Sequence, residues 1–144
     1  MPRPVISTGS AAWKGDLPSG SGTTTLETSQ LGSFPVSWKA RAEESSSGTT
    51  SPEELIGAAH ATCYSMAFSN DLAGNDTPPT AVDTTAAVSF VAGEGITGIE
   101  LTVRATVPGL EDADFQRLAA AAKENCPVSQ ALAGVDITLN ATLV

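Results

Sequence analysis

A strong helix start, followed by a long and mostly apolar segment, constrains this chain more than any other feature. Ser51 stands at an N-cap position and Pro52 at the first helical position. Glu53 and Glu54 then place two carboxylates at the positive end of the helix dipole. The helix is predicted to continue to about Leu72. Its apolar residues are too many for one narrow stripe, so we expect a central helix that is covered on several sides.

The residues before this helix are rich in Thr, Ser and Gly, and they predict two or three strands in a meander over residues 5–38. Residues 34–41 alternate with a period of two, which predicts a strand with Lys39 and Arg41 on one face. Residues 43–50 are polar and predict a solvated loop. Because the meander has few apolar side chains, we expect the central helix or a partner subunit to cover it.

The residues after the helix alternate between strand-like and helix-like patterns. Strands are predicted over residues 81–92 and 96–107, and a helix is predicted to begin near Glu111 and to restart at Pro127. Residues 135–143 predict a final strand. Strands interrupted by helices, without regular βαβ alternation, indicate an α+β fold with helices on one face of largely antiparallel sheets. We expect one domain that spans all 144 residues.

Charge and composition exclude several classes of function. The chain has 7 Lys and Arg against 16 Asp and Glu, a formal charge of −9. Its few cations are scattered, so we expect it to bind neither nucleic acid nor an anionic membrane surface. No apolar run approaches the roughly 20 residues that cross a bilayer, and the N-terminal residues lack the apolar segment of a secretory signal. We therefore expect a cytoplasmic protein, in which a structural disulfide is not the default interpretation.

The two cysteines are the main candidates for chemistry. Cys63 lies about three turns into the predicted helix, and Cys126 precedes Pro127 at the junction of two helical segments. Free cysteines are often buried and inert, but a thiolate oxidised to sulfenic acid can also condense with a second thiol. His60, three residues before Cys63, suggests a base or a metal ligand. One His and two distant Cys are too few for a zinc site, so we expect His60 to pack or hydrogen-bond at the helix surface.

Two motifs carry a resemblance to a known family. Residues 51–67, SPEELIGAAHATCYSMA, and residues 124–129, ENCPVS, closely resemble the OsmC/Ohr family of thiol-dependent hydroperoxide reductases, and the OsmC branch is the better match. Residues 12–16, 20–22 and 108–109 resemble that branch too, so the resemblance covers essentially the whole chain. It implies an OsmC/Ohr-like α+β fold, with sheets packed around a central helix in an intertwined homodimer and active sites at the subunit interface.

The resemblance also implies roles for individual residues. Carried over by motif, Cys63 is the peroxidatic thiol and Cys126 the resolving thiol. An Arg held by a Glu keeps the peroxidatic sulfur ionised, and Arg41 matches that position, its alternative being a surface residue of the strand. Helix geometry favours Glu53 as the partner, because ten residues bring it about 80° from the direction of Cys63, whereas Glu54 lies about 180° away. Capping is the alternative role for both glutamates.

The activity implied is the reduction of organic hydroperoxides, and less well of hydrogen peroxide, to alcohols in defence against oxidative or osmotic stress. The reaction would pass through a Cys63 sulfenic acid and a Cys63–Cys126 disulfide, and an external dithiol such as a lipoyl group would restore both thiols. No metal, haem, flavin or other cofactor is needed for this chemistry.

An apolar cleft would favour organic over inorganic peroxides by burying the alkyl group. The candidates to line it, each with ordinary core or interface packing as its alternative, are Phe34, Trp38, Met66 and Phe68. Two other functions stay open on the residues alone. One is a non-enzymatic dimer of the same fold, structural or binding a small molecule, and the other is a thiol hydrolase or a metal-dependent enzyme.

Overall fold

The computed structural model describes residues 1–43 and 48–144. These residues form two compact units, Met1–Pro52 and Glu53–Val144. The polar loop predicted over residues 43–50 falls partly on residues 44–47, which lie outside the described residues. The single domain expected from the length of the chain stays a prediction.

The first unit contains an antiparallel meander. Its strands are β1 (Gly9–Lys14), β2 (Ser21–Leu26) and β3 (Ser33–Val36), in the order β1-β2-β3. In the register, Trp13 of β1 lies opposite Gly22 of β2. A Cβ on that glycine would lie 2.6 Å from the indole ring of Trp13, so the ring packs directly on the backbone. The predicted meander of two or three strands is confirmed.

The strand predicted over residues 34–41 is wrong in its second half, because the chain forms a short helix there, α1 (Trp38–Ala42). Ser37 caps this helix: its side-chain oxygen accepts a hydrogen bond from the backbone N–H of Ala40 at 3.1 Å. Lys39 and Arg41 therefore do not share a face, since two residues along a helix differ in direction by about 200°. Local capping has overridden the alternating pattern.

The described side chains of the first unit before Ser51 stay at least partly accessible. No described residue before Ser51 is buried. The large apolar side chains of this unit that are exposed are Met1, Val5, Ile6, Trp13, Leu17, Leu26, Leu31 and Phe34. The expectation that the central helix or a partner subunit covers the meander stays a prediction.

The second unit is built on one three-stranded sheet. Its elements in chain order are α2 (Pro52–Gly74), β4 (Ala81–Val91), β5 (Gly95–Thr106), α3 (Asp112–Asn125), α4 (Pro127–Ala131) and β6 (Asp136–Leu143). These bounds confirm the predicted helices and strands of this part of the chain. The sheet has the order β4-β5-β6 and is mixed, since β4 and β5 are antiparallel whereas β5 and β6 are parallel. The prediction of largely antiparallel sheets therefore needs correction at β6, which α3 and α4 return to the same direction as β5.

The core of the second unit lies between one face of this sheet and the helices α2 and α3. Alternate residues of β5, among them Leu101 and Val103, are buried together with Phe115 of α3 and Phe68 of α2. The Phe68 and Phe115 rings meet edge to face with their centroids 5.4 Å apart. This arrangement confirms the predicted α+β fold class.

The helix α2 presents one buried face within the chain. The residues of this face recur at intervals of three or four: Glu53, Gly57, His60, Tyr64, Phe68 and Leu72. A Cβ added to Gly57 would lie 2.8 Å from the carbonyl oxygen of Ala86, so α2 approaches β4 closely at this point. The other residues of α2 are half-buried or exposed, so the expected cover on several sides stays a prediction. Among the described residues, no helix is both long enough and apolar enough to cross a membrane.

Candidate active site

Cys126 occupies the joint between two helices. Its backbone N–H closes the last turn of α3 by donating to the carbonyl oxygen of Ala122 at 2.9 Å. Its ψ of 121° then takes the chain out of the helical conformation. A residue before proline avoids that helical conformation for steric reasons. Pro127 opens α4, where its missing N–H costs no hydrogen bond. The side chain of Cys126 is fully buried.

Cys63 reaches the same place from the middle of α2. It packs against the core that contains Cys126, and the two thiols lie close enough to share a hydrogen bond. Both thiols are free, and Cys63 is partly exposed whereas Cys126 is not. The fold therefore brings the two cysteines together with different access to solvent.

The surroundings shift the two thiols in opposite directions. Burial raises the pKa of Cys63, and the hydrogen bond and charge of Cys126 raise it further. At Cys126 burial also acts to raise the pKa, but hydrogen bonds from the Ser129 and Val128 backbone N–H groups, from Cys63 and from the Ser129 hydroxyl offset it and hold the pKa below its usual value. The resemblance implies an ionised Cys63. Within this pair, however, Cys126 is the thiol that more readily carries the negative charge.

His60 adds a buried polar contact beside the thiol pair. Its Nε2 lies 2.7 Å from the side-chain oxygen of Ser129, and both side chains are buried. Burial lowers the pKa of His60, so the ring is neutral at pH 7. We predicted a hydrogen-bonding His60 at the helix surface. The hydrogen bond is present, but the surface position is wrong, because His60 lies on the stripe that α2 buries against the core.

Glu53 and Glu54 differ in their exposure to solvent. Glu53 is 6% exposed and lies on the buried face of α2, whereas Glu54 is exposed in the same first turn. Arg41 lies in α1 and is half-buried. Its predicted place in a strand is therefore wrong. Its role beside the sulfur, like that of Glu53, stays a prediction.

The four residues expected to line an apolar cleft have different environments. Phe68 has no exposed surface and contacts Tyr64 and Phe115, so it is a core residue, as its alternative interpretation held. Met66 is 69% exposed and lines an open groove of about 650 Å³ between α2 and the start of β4. Phe34 is 41% exposed in β3, and Trp38 is half-buried at the start of α1.

Sequence reasoning missed one functional candidate, Ser129. It is the fourth residue of the CPVS motif, and a side chain three residues after an N-cap position faces back towards the capping residue. That spacing could have identified it. Within residues 1–43 and 48–144, no group of three or more His, Cys, Asp or Glu side chains is placed to hold a metal ion.

Comparisons with known proteins agree with this geometry. Residues 44–140 match the family model described as OsmC-like protein. The chain is 44% identical over 135 residues to Peroxiredoxin OsmC of Escherichia coli strain K12, and the match covers 92% of each chain.

Two solved structures show the same fold. A Legionella pneumophila protein described as an organic hydroperoxide resistance protein OsmC is 26% identical, with a TM-score of 0.68 over 97% of this chain and 100% of the other. An OsmC-like protein from Mycoplasma pneumoniae is 15% identical with a TM-score of 0.73 over 97% and 98%, and this likeness concerns the fold alone.

The relatives are matched over most of the chain, and the family model spans both cysteines. The 44% identity to a peroxiredoxin confirms the predicted enzyme class, a thiol peroxidase. Together, the family model, the relatives and the fold show that this chain belongs to the OsmC family.

Proposed function

We propose that this protein reduces organic hydroperoxides, and hydrogen peroxide less well, to alcohols, with Cys63 as the peroxidatic thiol and Cys126 as the resolving thiol. The observation that carries the proposal is the contact between a partly exposed Cys63 and a fully buried Cys126. Peroxide can reach the first thiol from solvent, and the second thiol is already beside it. The relatives named for peroxide chemistry support the same conclusion.

In the first step, the Cys63 thiolate attacks the distal oxygen of the hydroperoxide. The O–O bond breaks, the alkoxide takes up a proton and leaves as the alcohol, and Cys63 becomes a sulfenic acid. The thiol must lose its proton before it attacks, because the thiolate is the nucleophile. That proton ends on the departing alkoxide, so the first step uses the proton of Cys63 and leaves the proton of Cys126 for the second step.

Arg41 and Glu53 have a place in this step. A guanidinium near the sulfur would lower the pKa of Cys63 and oppose the effect of burial. It would also stabilise the negative charge that develops on the departing oxygen. A carboxylate such as that of Glu53 can hold one edge of a guanidinium while another N–H points at the sulfur. We therefore assign Arg41 to activation of Cys63, and Glu53 to holding Arg41.

In the second step, the Cys126 sulfur attacks the sulfenic acid of Cys63. The S–S bond forms, the S–O bond breaks, and the oxygen leaves as water after it takes up the remaining proton. The overall change is two thiols and one hydroperoxide to one disulfide, one alcohol and one water. An external dithiol then reduces the disulfide by thiol–disulfide exchange, and a lipoyl group belongs to this chemical class.

The proposal includes a homodimer, in which a second copy covers the first unit. The exposed apolar side chains of that unit, among them Ile6, Leu31 and Phe34, support it. Phe34, Trp38 and Met66 are the candidates to contact the alkyl group of the peroxide there. We place the reaction in the cytoplasm, in defence against oxidative or osmotic stress.

Mass spectrometry of the reduced protein tests the proposal. One equivalent of tert-butyl hydroperoxide is expected to lower the mass by about 2 Da and to remove both free thiols. Two matched variants separate the steps. Cys126→Ser is expected to stop at a sulfenic acid about 16 Da heavier, and Cys63→Ser to consume no peroxide. If the wild-type protein kept both thiols, the chain would instead be a non-enzymatic dimer that shares the fold.

A further inference from the structure

A chain of hydrogen bonds leads from His60 to the resolving thiol. The His60 Nε2 lies 2.7 Å from the Ser129 side-chain oxygen. The Ser129 hydroxyl in turn hydrogen-bonds to the Cys126 sulfur. All three side chains are buried, with His60 and Cys126 fully excluded from solvent and Ser129 only 6% exposed. Water therefore does not compete for these bonds, and each donor must find its acceptor among these three side chains.

The polar atoms of His60 fix the direction of this chain. Its other nitrogen, Nδ1, is buried and has no hydrogen-bond partner among the described residues. A neutral imidazole carries one N–H and one bare nitrogen. If the N–H were at Nδ1, a buried donor would have no acceptor, which is rarer in proteins than an under-used acceptor. The N–H at Nε2 avoids this and donates to Ser129.

The serine then has one direction left for its own proton. A hydroxyl donates a single hydrogen bond, and the Ser129 oxygen already accepts from Nε2. Its O–H is therefore free to donate to the Cys126 sulfur. Hydrogen bonds to a charged acceptor are about twice as strong as those between neutral groups, so this order of donors favours the Cys126 thiolate over the thiol.

We propose that His60 is a positioning residue for the resolving step, which holds the Ser129 hydroxyl as a donor to the Cys126 sulfur and so keeps that sulfur ready to attack the Cys63 sulfenic acid. This inference rests on the proposed function and adds two residues to it. Ser129 touches a reacting atom, whereas His60 acts through Ser129. No proton needs to reach His60 during the step, since the oxygen of the sulfenic acid leaves as water.

The kinetic test separates resolution from attack in a single turnover. Reduced protein is mixed with one equivalent of tert-butyl hydroperoxide, and the sulfenic acid is trapped with dimedone at successive times and measured by mass spectrometry. Ser129→Ala is expected to extend the lifetime of the sulfenic acid by about 10- to 100-fold, the range for loss of one hydrogen bond to a charged group. The rate of peroxide consumption should change far less.

Matched variants distinguish positioning from general damage. Thr84→Val removes a hydroxyl from an equally short contact, 2.7 Å to Ser65, in the same unit, and it should resolve at the wild-type rate. His60→Gln keeps an N–H donor near the place of Nε2 and should restore most of the rate. His60→Leu removes the donor and should match Ser129→Ala. Wild-type resolution in both Ser129→Ala and His60→Leu would overturn the proposal.

A spectroscopic measurement covers the case in which His60→Leu fails to fold. The chain has one histidine, so 15N-histidine labelling gives one imidazole in the NMR spectrum. The reduced protein is expected to carry the proton at Nε2, and Cys126→Ala is expected to move population to the Nδ1–H form because Ser129 can then donate to Nε2. A reduced wild-type protein that carries the proton at Nδ1 would contradict this order of donors. If the wild type closed no disulfide, the proposed function would fail. The tautomer would still decide whether His60 donates to Ser129.

Discussion

The two compact units of the chain differ in how they accommodate their apolar side chains. The second unit, Glu53–Val144, buries aromatic and aliphatic residues between a sheet and two helices, and its thiol pair is part of that core. The first unit, Met1–Pro52, has no buried described residue before Ser51. Three strands need a hydrophobic face or a packing partner to be stable. The burial seen for the described residues therefore explains the stability of the second unit, but not that of the meander.

This difference means that the thiol pair and Arg41 are positioned in different ways. The contact between Cys63 and Cys126 depends on packing inside the second unit, where neighbours surround both elements that carry the thiols. Arg41 belongs to the first unit, in which no described residue before Ser51 is buried. The thiol pair is therefore built by one copy, whereas the proposed activation by Arg41 depends on a unit that we propose a second copy covers.

The largest expected effect compares one phenylalanine from each unit. Phe68→Ala should lower the free energy of unfolding by about 3–5 kcal/mol, because it leaves a cavity in a closed core. At protein concentrations too low for a dimer to form, Phe34→Ala should cost about 1 kcal/mol or less, because its side chain is 41% exposed in the single chain. Chemical denaturation of both variants checks this. Equal losses that grow with protein concentration would mean that a second copy buries Phe34.

The next effect concerns the cation that the first unit contributes. Arg41→Ala is expected to slow peroxide reduction by about 100- to 1,000-fold, the range for losing one preorganised electrostatic group. The change in the free energy of unfolding should be far smaller. Lys39→Ala is the matched control, because it removes a cation from the same short helix. Single-turnover rates measure the effect, and equal rates for wild type and Arg41→Ala would exclude the assigned role.

A smaller effect tests how closely α2 approaches the sheet in the second unit. Gly57→Ala places a methyl group 2.8 Å from the Ala86 carbonyl oxygen, and the overpacking should cost about 1–3 kcal/mol, reduced by the helix propensity gained, about 1 kcal/mol. Gly74→Ala, with open space around its Cβ, is the control and should be neutral or slightly stabilising. Thermal unfolding of both variants gives the comparison. A destabilised Gly74→Ala beside an unaffected Gly57→Ala would contradict it.

The smallest expected effect is the pH dependence of stability that His60 causes. Burial lowers the pKa of His60 below its ordinary value of 6.5, so the unfolded chain binds the proton more readily than the folded one. Stability from this group is therefore complete above about pH 6.5 and is lost as the pH falls from there towards the folded pKa. Denaturation at several pH values should show a steeper loss for the wild type than for His60→Gln. Parallel curves would exclude a buried neutral His60.

The sequence predicts the second unit well because its signals are local and repeated. Caps, glycines and prolines mark the ends of α2, and Pro127 marks the break between α3 and α4. The direction of β6 was not accessible, since an alternating pattern is the same whether a strand runs parallel or antiparallel to its neighbour. Only the length of the intervening helices suggests a return crossover.

The errors come from places where a weak pattern competed with a specific contact. The alternation over residues 34–41 predicted a strand, but the Ser37 cap and good helix formers after it produced α1. The surface position predicted for His60 is wrong. Apolar residues occur on all sides of α2, so the sequence does not indicate which stripe of the helix is buried. Only the recurrence of large residues at 60, 64, 68 and 72 distinguishes that stripe.

The contact between the thiols could be predicted from the motif, but its proton distribution could not. It depends on backbone N–H groups at the start of α4 and on the Ser129 hydroxyl, and these reach the Cys126 sulfur only in the folded chain. Spacing along the sequence indicates which thiols can meet. It does not indicate which of them carries the charge.

The missing side chain at Gly57 has a consequence for how reproducibly the chain delivers its nucleophile. A helix that packs directly on a strand backbone cannot shift along or away from the strand without losing that contact, so Gly57 fixes the position of α2 on β4. Cys63 lies six residues further on, about 9 Å along the helix axis. The alignment of the two sulfurs thus depends on a residue without a side chain nearly two turns away, and any redesign of this protein should keep Gly57.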